Sequence, residues 1–326
     1  MTRLFVSSIA NLIYALGIAE TFDEIVFASK RNVITNEKYL YLHKDHHLAS
    51  LIASIEGIKF TKTIFNDEKE IHFTQEDFVD IRLLAKKKWF WKRQEANLLG
   101  LNPEYLATFF PNIRSSNLPQ LKLRAEMIIR ILVPRGVRTF YALSTQNHRF
   151  LGFRSKPIDL ETTQIKLSKW ARYLNLFTNE ELEAMLNKRF LLFLPLGTGY
   201  GGSADFNKRA IEDFISRALD SKIETIVIKN HPRDDSIWQF NLGERTKNVK
   251  ILYFTGEKRF IPAEMILGLS REVIIGGMFS TCMKGMLPCF VQQPIIYMPN
   301  DPEISNWYNY AMSGLLQSFK NSVIYI

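Results

Sequence analysis

The run Phe190–Leu196, Phe-Leu-Leu-Phe-Leu-Pro-Leu, constrains this chain more than any other feature. A strand with no polar alternation must be covered on both faces. That is the condition of a parallel sheet with helices on either side. The succeeding segments fit such a sheet. Gly197-Thr-Gly-Tyr-Gly-Gly-Ser reads as a turn. Phe206, Ala210, Ile211, Phe214, Ile215, Ala218 and Leu219 then recur at helical spacing, with Ser203 or Asp205 as N-cap. Further buried strands are predicted at Ile223–Lys229, Val249–Phe254, Val273–Ile275 and Pro294–Tyr297, each separated by helix or loop, with a helical tail at the end.

The first half has a similar rhythm. Strands are predicted at Leu4–Val6, Glu24–Ala28, Lys38–Leu42 and Ile58–Phe65, with helices at Asn11–Ala19 and His46–Ser54. Residues 76–133 read mainly as helices, Thr139–Leu143 as a last strand and Ser144–Pro157 as a polar, irregular stretch. A helical region, Glu161–Lys188, leads into the second half. The expectation is an α/β chain of two Rossmann-like domains, 1–157 with a helical insertion and 158–326 with a tail helix. They would face a central cleft, with ligands outside the carboxyl ends of the strands.

Composition narrows the function classes. With 326 residues, 46% hydrophobic and 23% charged, the chain has enough core-forming residues for two folded domains and is not of disordered type. Cys282 and Cys289 make neither a metal tetrad nor a disulfide framework, which predicts free thiols in a reducing compartment. No apolar run reaches the ~18–20 residues of a membrane span. The opening Met-Thr-Arg-Leu-Phe-Val lacks a following small-residue cleavage site, so no signal peptide is expected. The charge balance, 42 Lys+Arg against 33 Asp+Glu for a net +9, calls for an anionic partner: nucleic acid, a phosphate-bearing ligand or an anionic lipid surface. The sharpest cluster is Arg82, Lys86, Lys87, Lys88, Lys92 and Arg93, interleaved with Trp89, Phe90 and Trp91. It suits an anionic headgroup layer, and equally a solvated helix face whose aromatics point inward.

Four constellations carry chemistry. Lys229-Asn-His231-Pro232-Arg233 closes a strand, so a histidine stands at the carboxyl edge of the sheet with cations on either side. Gly276-Gly277-Met278-Phe279-Ser280-Thr281 offers two hydroxyls ahead of the helix-like run Cys282–Leu287, an arrangement that suits a phosphate or a plain N-cap pair. Phe260-Ile261-Pro262-Ala263-Glu264 sets a carboxylate on a helix's first turn, where it can grip ribose hydroxyls or serve the helix dipole. The glycines at 197, 199, 201 and 202 match neither the dinucleotide fingerprint nor a P-loop. They allow close backbone approach to a ligand at Gly197 and Gly199, with Asp205 just beyond as a carboxylate or a cap. His43, His46 and His47 have no metal-ligand partners at a defined spacing, and Asp234-Asp235 lacks the spacing to hold a divalent cation.

These residues resemble the bacterial sialyltransferases and polysialyltransferases of GT-B type, whose short motifs are His-Pro and Ser-Ser or Ser-Thr. Here those are His231-Pro232 and Ser280-Thr281. Ile261-Pro262-Ala263-Glu264 is similar to the group's Pro-x-Glu step, and Phe5-Val-Ser-Ser-Ile-Ala-Asn-Leu-Ile-Tyr-Ala to its first strand and helix. The resemblance covers the second half in order and the opening residues. It implies an inverting glycosyltransferase that uses a CMP-linked sialic or related nonulosonic acid as donor, with no metal and no other cofactor.

Under that resemblance His231 protonates or hydrogen-bonds the departing phosphate, and Ser280 and Thr281 hold it. Glu264 binds the ribose, and Gly197, Gly199, Lys229, Pro232 and Arg233 complete the donor site. The group's acidic doublet followed by glycine is absent. After Thr139–Leu143 the chain has Ser144-Thr-Gln-Asn-His148 instead, which leaves Asp205 as the candidate base. The implied acceptor is a surface polysaccharide or lipooligosaccharide. The enzyme would be cytoplasmic, at the inner face of the membrane, held by Lys86, Lys87, Lys88, Trp89, Trp91, Lys92 and Arg93, with no nucleic-acid partner. The open alternatives are a transferase of another CMP- or CDP-linked donor (Kdo or glycerol phosphate), a nucleic-acid-binding protein using the 82–93 patch, and a catalytically dead scaffold on a transferase fold.

Overall fold

The computed structural model describes residues 3–6, 9–16, 21–30, 40–65, 139–142, 149–150, 153–157, 160–198, 202–220, 222–232, 234, 236, 238, 240–278, 280, 282–283, 293–300 and 323–326. It is a mixed α/β structure built on parallel sheets, and its chain divides into two compact units whose principal boundary falls between Asp159 and Leu160.

The chain opens with β1 (Arg3–Val6), α1 (Ile9–Leu16), β2 (Glu24–Lys30), α2 (Leu40–Ile55) and β3 (Lys59–Phe65), of which all but the start of α2, up to Asp45, group with the first unit, and the three strands form a parallel sheet in the order β1-β2-β3. Crossover helices bury one stripe each: Leu12, Ile13 and Leu16 from α1, and Leu48, Ala49, Ile52 and Ala53 from α2, at the three- and four-residue spacing of a helix face. Ile25 and Phe27 of β2 are fully buried. The expected strand Lys38–Leu42 is corrected, because Leu40 already belongs to α2. A helix that starts at Leu40 rather than His46 shares its first apolar residues with a strand pattern, and length decides between the two.

A separate sheet, β4 (Thr139–Ala142), β5 (Arg149–Phe150) and β6 (Phe153–Pro157), has the order β4-β6-β5, with β4 and β6 parallel and β5 and β6 antiparallel. The irregular stretch expected at Ser144–Pro157 is thus partly strand. Its backbone pairs with β4, a partner that composition does not reveal.

The second unit starts with α3 (Leu160–Tyr173) and α4 (Asn179–Met185). Thr178 caps α4 in a reciprocal box: its hydroxyl accepts from the Glu181 amide at 3.2 Å, and the Glu181 carboxylate accepts from the Thr178 amide at 2.9 Å. Thr178→Ala is therefore expected to cost about 1 kcal/mol of stability in a denaturant titration. An unchanged midpoint would mean that α4 does not depend on its cap.

Six strands follow: β7 (Phe190–Leu194), β8 (Thr225–Lys229), β9 (Lys250–Phe254), β10 (Val273–Gly277), β11 (Ile295–Met298) and β12 (Val323–Tyr325). All pair in parallel, in the order β12-β11-β10-β7-β8-β9. Counted from the start of the unit this is the doubly wound order 3-2-1-4-5-6. β7, β8 and β10 are buried along their whole length, the condition of the central strands of a parallel sheet, including Thr225 and Lys229 at the two ends of β8. The sheet has one strand more than the sequence pattern predicts, since Val323–Tyr325 pairs with β11. The predicted tail helix lies outside the described residues.

Between β7 and β8 runs α5 (Ala204–Ala218), which buries Phe206, Ala210, Ile211, Phe214, Ile215 and Ala218 against the sheet. Gly276 of β10 lies directly under Phe214, whose ring would come within 2.5 Å of a Cβ placed there. Between β9 and β10 comes the short α6 (Ala263–Leu267). Among the described residues no helix is long and apolar enough to cross a membrane.

Candidate functional site

In a doubly wound sheet the chain leaves the first strand toward one neighbour and later returns on its other side, which opens a crevice beyond the carboxyl ends. Here those strands are β7, β8 and β10, and the residues just beyond them form the candidate site.

The loop after β7 is tied down at both ends. Asn207, fully buried on α5, accepts from the Leu196 amide at 2.8 Å and donates to the Leu196 carbonyl at 2.9 Å. The Gly202 amide donates to the Gly197 carbonyl at 3.1 Å. Gly202 has no room for a side chain, because a Cβ would overlap the Leu196 carbonyl. Ser203 is the N-cap of α5, its hydroxyl accepting from the Phe206 amide at 3.0 Å. Asp205 stands exposed on the first turn.

After β8 the chain turns at His231-Pro232, and the Asp234 amide donates to the His231 carbonyl at 2.9 Å. His231 is half-buried. Asp234 is the pivot of this turn. Its carboxylate, 4% exposed, accepts from the Ser236 amide at 3.1 Å and from Trp238 Nε1 at 3.1 Å. A Cβ on Gly197 would stand 3.3 Å from Asp234 Oδ2, so the glycine lets the two turns meet.

Lys229, expected among the donor-binding residues, is 3% exposed and faces inward. Its ammonium donates to the carbonyls of Asn230 at 2.7 Å and Arg259 at 3.0 Å. Arg259 Nε in turn donates to the Pro232 carbonyl at 3.3 Å. Two crossed hydrogen bonds therefore lace the His231-Pro232 turn to the 3-10 turn Gly256–Phe260, which leads into α6 and Glu264. Burial lowers the Lys229 ammonium to about 8, while the charges of Cys282 and Glu264 act the other way. Burial likewise pushes the Cys282 thiol up, reinforced by Glu264 and opposed by a hydrogen bond with Ser280. That thiol is a protonated core group rather than a nucleophile.

Lys229, Glu264 and Cys282 thus lie close enough to act on one another's charge. The ends of β8, α6 and the Ser280 turn converge. Ser280 is half-exposed, with Cys282 Sγ 3.3 Å from its hydroxyl and the Met283 amide donating to its carbonyl at 3.0 Å. Gly277 just before it has φ +116°, a Cβ there would overlap the Leu194 carbonyl, and the Met278 amide donates to that carbonyl at 2.7 Å. β10 therefore ends in close backbone contact with β7.

Gly197, Lys229 with His231 and Pro232, and Ser280 stand at or just beyond the carboxyl ends of β7, β8 and β10, Glu264 lies on α6 between β9 and β10, and Asp205 is on the first turn of α5. Gly199, Arg233, Thr281 and the whole basic segment Lys86, Lys87, Lys88, Trp89, Trp91, Lys92 and Arg93 lie outside the described residues. Glu264 is 5% exposed, a buried carboxylate on the first turn of α6. Among the described residues no group of three His, Cys, Asp or Glu side chains gathers to hold a metal ion.

Sequence reasoning passed over Asn207, Trp238 and Arg259, and weighed Asp234 only as a cation ligand. For Asn207 a signal existed, since it is a polar residue inside the apolar stripe of α5. Asp234 and Arg259 act through loop backbone, which leaves no periodic trace. Comparison with known protein families matches no family model, and comparison with curated proteins gives no match.

Proposed function

We propose that this protein is a glycosyltransferase of GT-B type that moves a sialic or related nonulosonic acid from a CMP-activated donor to a hydroxyl of a bacterial surface glycan. The observation that carries the reading is the placement of His231 just after β8 and of Ser280 just after β10, the two strands that flank β7 at the switch point of a 3-2-1-4-5-6 sheet, with Lys229 hydrogen-bonded to the turn that leads to Glu264. This is where such folds bind nucleotides. The order of the motifs in the chain adds to it.

In this reading Ser280 and Thr281 hold the single phosphate of CMP, Glu264 meets the ribose, and Lys229 and Arg259 keep the two turns in register. The bond from the anomeric carbon to the phosphate oxygen breaks, and its electron pair leaves with CMP. His231 stabilises or protonates that oxygen. The acceptor oxygen bonds to the anomeric carbon from the opposite face, and its proton passes to a carboxylate, Asp205 being the candidate. No metal enters this scheme, because one phosphate with a histidine and hydroxyl donors needs less counter-charge than a diphosphate. The basic, tryptophan-containing segment Lys86–Arg93 would hold the enzyme at the cytoplasmic face of the membrane, beside a lipid-linked acceptor.

The test is a calorimetric titration of CMP, CDP, UDP and GDP into the full chain without added metal, repeated on Ser280→Ala/Thr281→Ala. CMP is expected to bind selectively, and the double variant to lose at least tenfold in affinity. Selection of CDP over CMP would redirect the reading to a CDP-linked donor. Absence of all nucleotide binding would overturn it.

A further inference from the structure

Beside the glycine loop lies a groove of about 600 Å³ that the nucleotide reading leaves unused. It runs over the first turn of α5, flanked on its other side by the segment 236–241 beyond the His231 turn. Its walls are of two kinds. One is aromatic: Phe240, half-buried, with its ring edge-on to Phe193 of β7 at 6.4 Å, and Trp238, 7% exposed, whose indole nitrogen is already committed to Asp234. The other is polar and neutral in sum: Asp205 and Lys208 carry opposite charges, and Ser203 and Asn241 add a hydroxyl and an amide.

The polar groups retain hydrogen-bonding capacity toward a ligand. Ser203 accepts from the Phe206 amide and keeps its hydroxyl proton to donate. Asn241 accepts from the Gly243 amide through Oδ1 at 3.3 Å and keeps its NH2. The walls are fixed in advance, because the Asp234 hydrogen bonds hold the segment on one side and the Ser203 cap holds the other. A site whose walls do not have to order on binding loses less affinity to entropy.

This is the chemistry that receives a sugar ring. One face of a pyranose is a patch of C–H bonds whose slightly positive hydrogens meet the negative face of an aromatic ring. Its hydroxyls need donors and acceptors together, which a carboxylate, an ammonium, a hydroxyl and an amide supply. A phosphate would be repelled by Asp205, and a purely apolar ligand would leave four polar groups desolvated.

Resting on the transferase reading, we infer that this groove holds the acceptor: a neutral hexopyranose unit seated on Phe240, with its reacting hydroxyl directed to Asp205. The acceptor determinant then belongs to the second unit, next to the donor motifs.

The experiment is saturation-transfer NMR on the full chain with methyl β-glycosides of glucose, galactose and N-acetylglucosamine, alongside the CMP titration. At least one glycoside is expected to bind, with affinity reduced at least fivefold in Phe240→Ala and in the exposed-site variant Asn241→Ala, while CMP affinity is unchanged. Should Phe240→Ala fail to fold, Asn241→Ala decides alone. CMP binding with no glycoside signal, or with a signal indifferent to both variants, overturns the groove assignment and leaves the transferase reading standing. Glycoside binding that both variants weaken, without any CMP binding, supports the groove as a saccharide site and overturns the transferase reading.

Discussion

His231→Ala is expected to lower transfer from a CMP-linked nonulosonic acid by roughly 10²–10⁴-fold, the range of a positioned acid or base. The fold should be retained. The turn that carries His231 is held through backbone, since the Asp234 amide donates to the residue's own carbonyl, and through Arg259 and Lys229, none of which involves the imidazole. Thermal unfolding of the variant checks that the fold persists, and CMP affinity is expected to change less than turnover. The pattern that identifies a chemical role is a fall in kcat with near-constant nucleotide affinity. Turnover at the wild-type rate would remove His231 from the mechanism. An equal loss in kcat and CMP affinity would make it a binding residue instead.

The largest structural effect is expected at Gly277. Gly277→Ala meets two penalties at once: φ +116° lies where L-residues are strained, and the new methyl overlaps the Leu194 carbonyl. Strain of this kind costs roughly 1–3 kcal/mol and overpacking a similar amount. The sum is about 3 kcal/mol or more, a large share of a domain's stability. Neither the β7 nor the β10 backbone can yield, because both strands are buried and paired on each side. Gly243→Ala is the matched control. Gly243 also has positive φ, +70°, but open space around its Cβ position, and should lose only the strain, roughly 1–3 kcal/mol, without the overlap. Chemical denaturation of both variants separates the terms. Equal losses would show that the β7–β10 approach is looser than the overlap implies.

Much of the second unit was legible in the sequence. Phe190–Leu194 is buried as its unalternating pattern requires, the stripe from Phe206 to Ala218 faces the sheet, and Ser203 caps α5. The positions of His231 just after β8 and Ser280 just after β10 were legible too, because strand ends can be read from where an apolar run stops. Earlier in the chain the same reasoning lost Lys38–Leu42 to a helix and took strands β5 and β6 for irregular chain, since short elements carry too few residues for a period to show.

Across most of the second unit, side-chain order along the chain was enough to say which segments are strands and helices and which polar residues close them. Both are local properties, written in spacing and caps. It took the folded chain to establish that β7 lies between β8 and β10, that Val323–Tyr325 adds a sixth strand, that Lys229 faces inward to lace two turns, and that Asp234 holds Trp238 in the wall of a groove beside Asp205. Each of these joins residues distant in the chain or depends on which way one side chain turns. Pairing partners and side-chain direction are set by the packing of the whole sheet, which no single segment encodes.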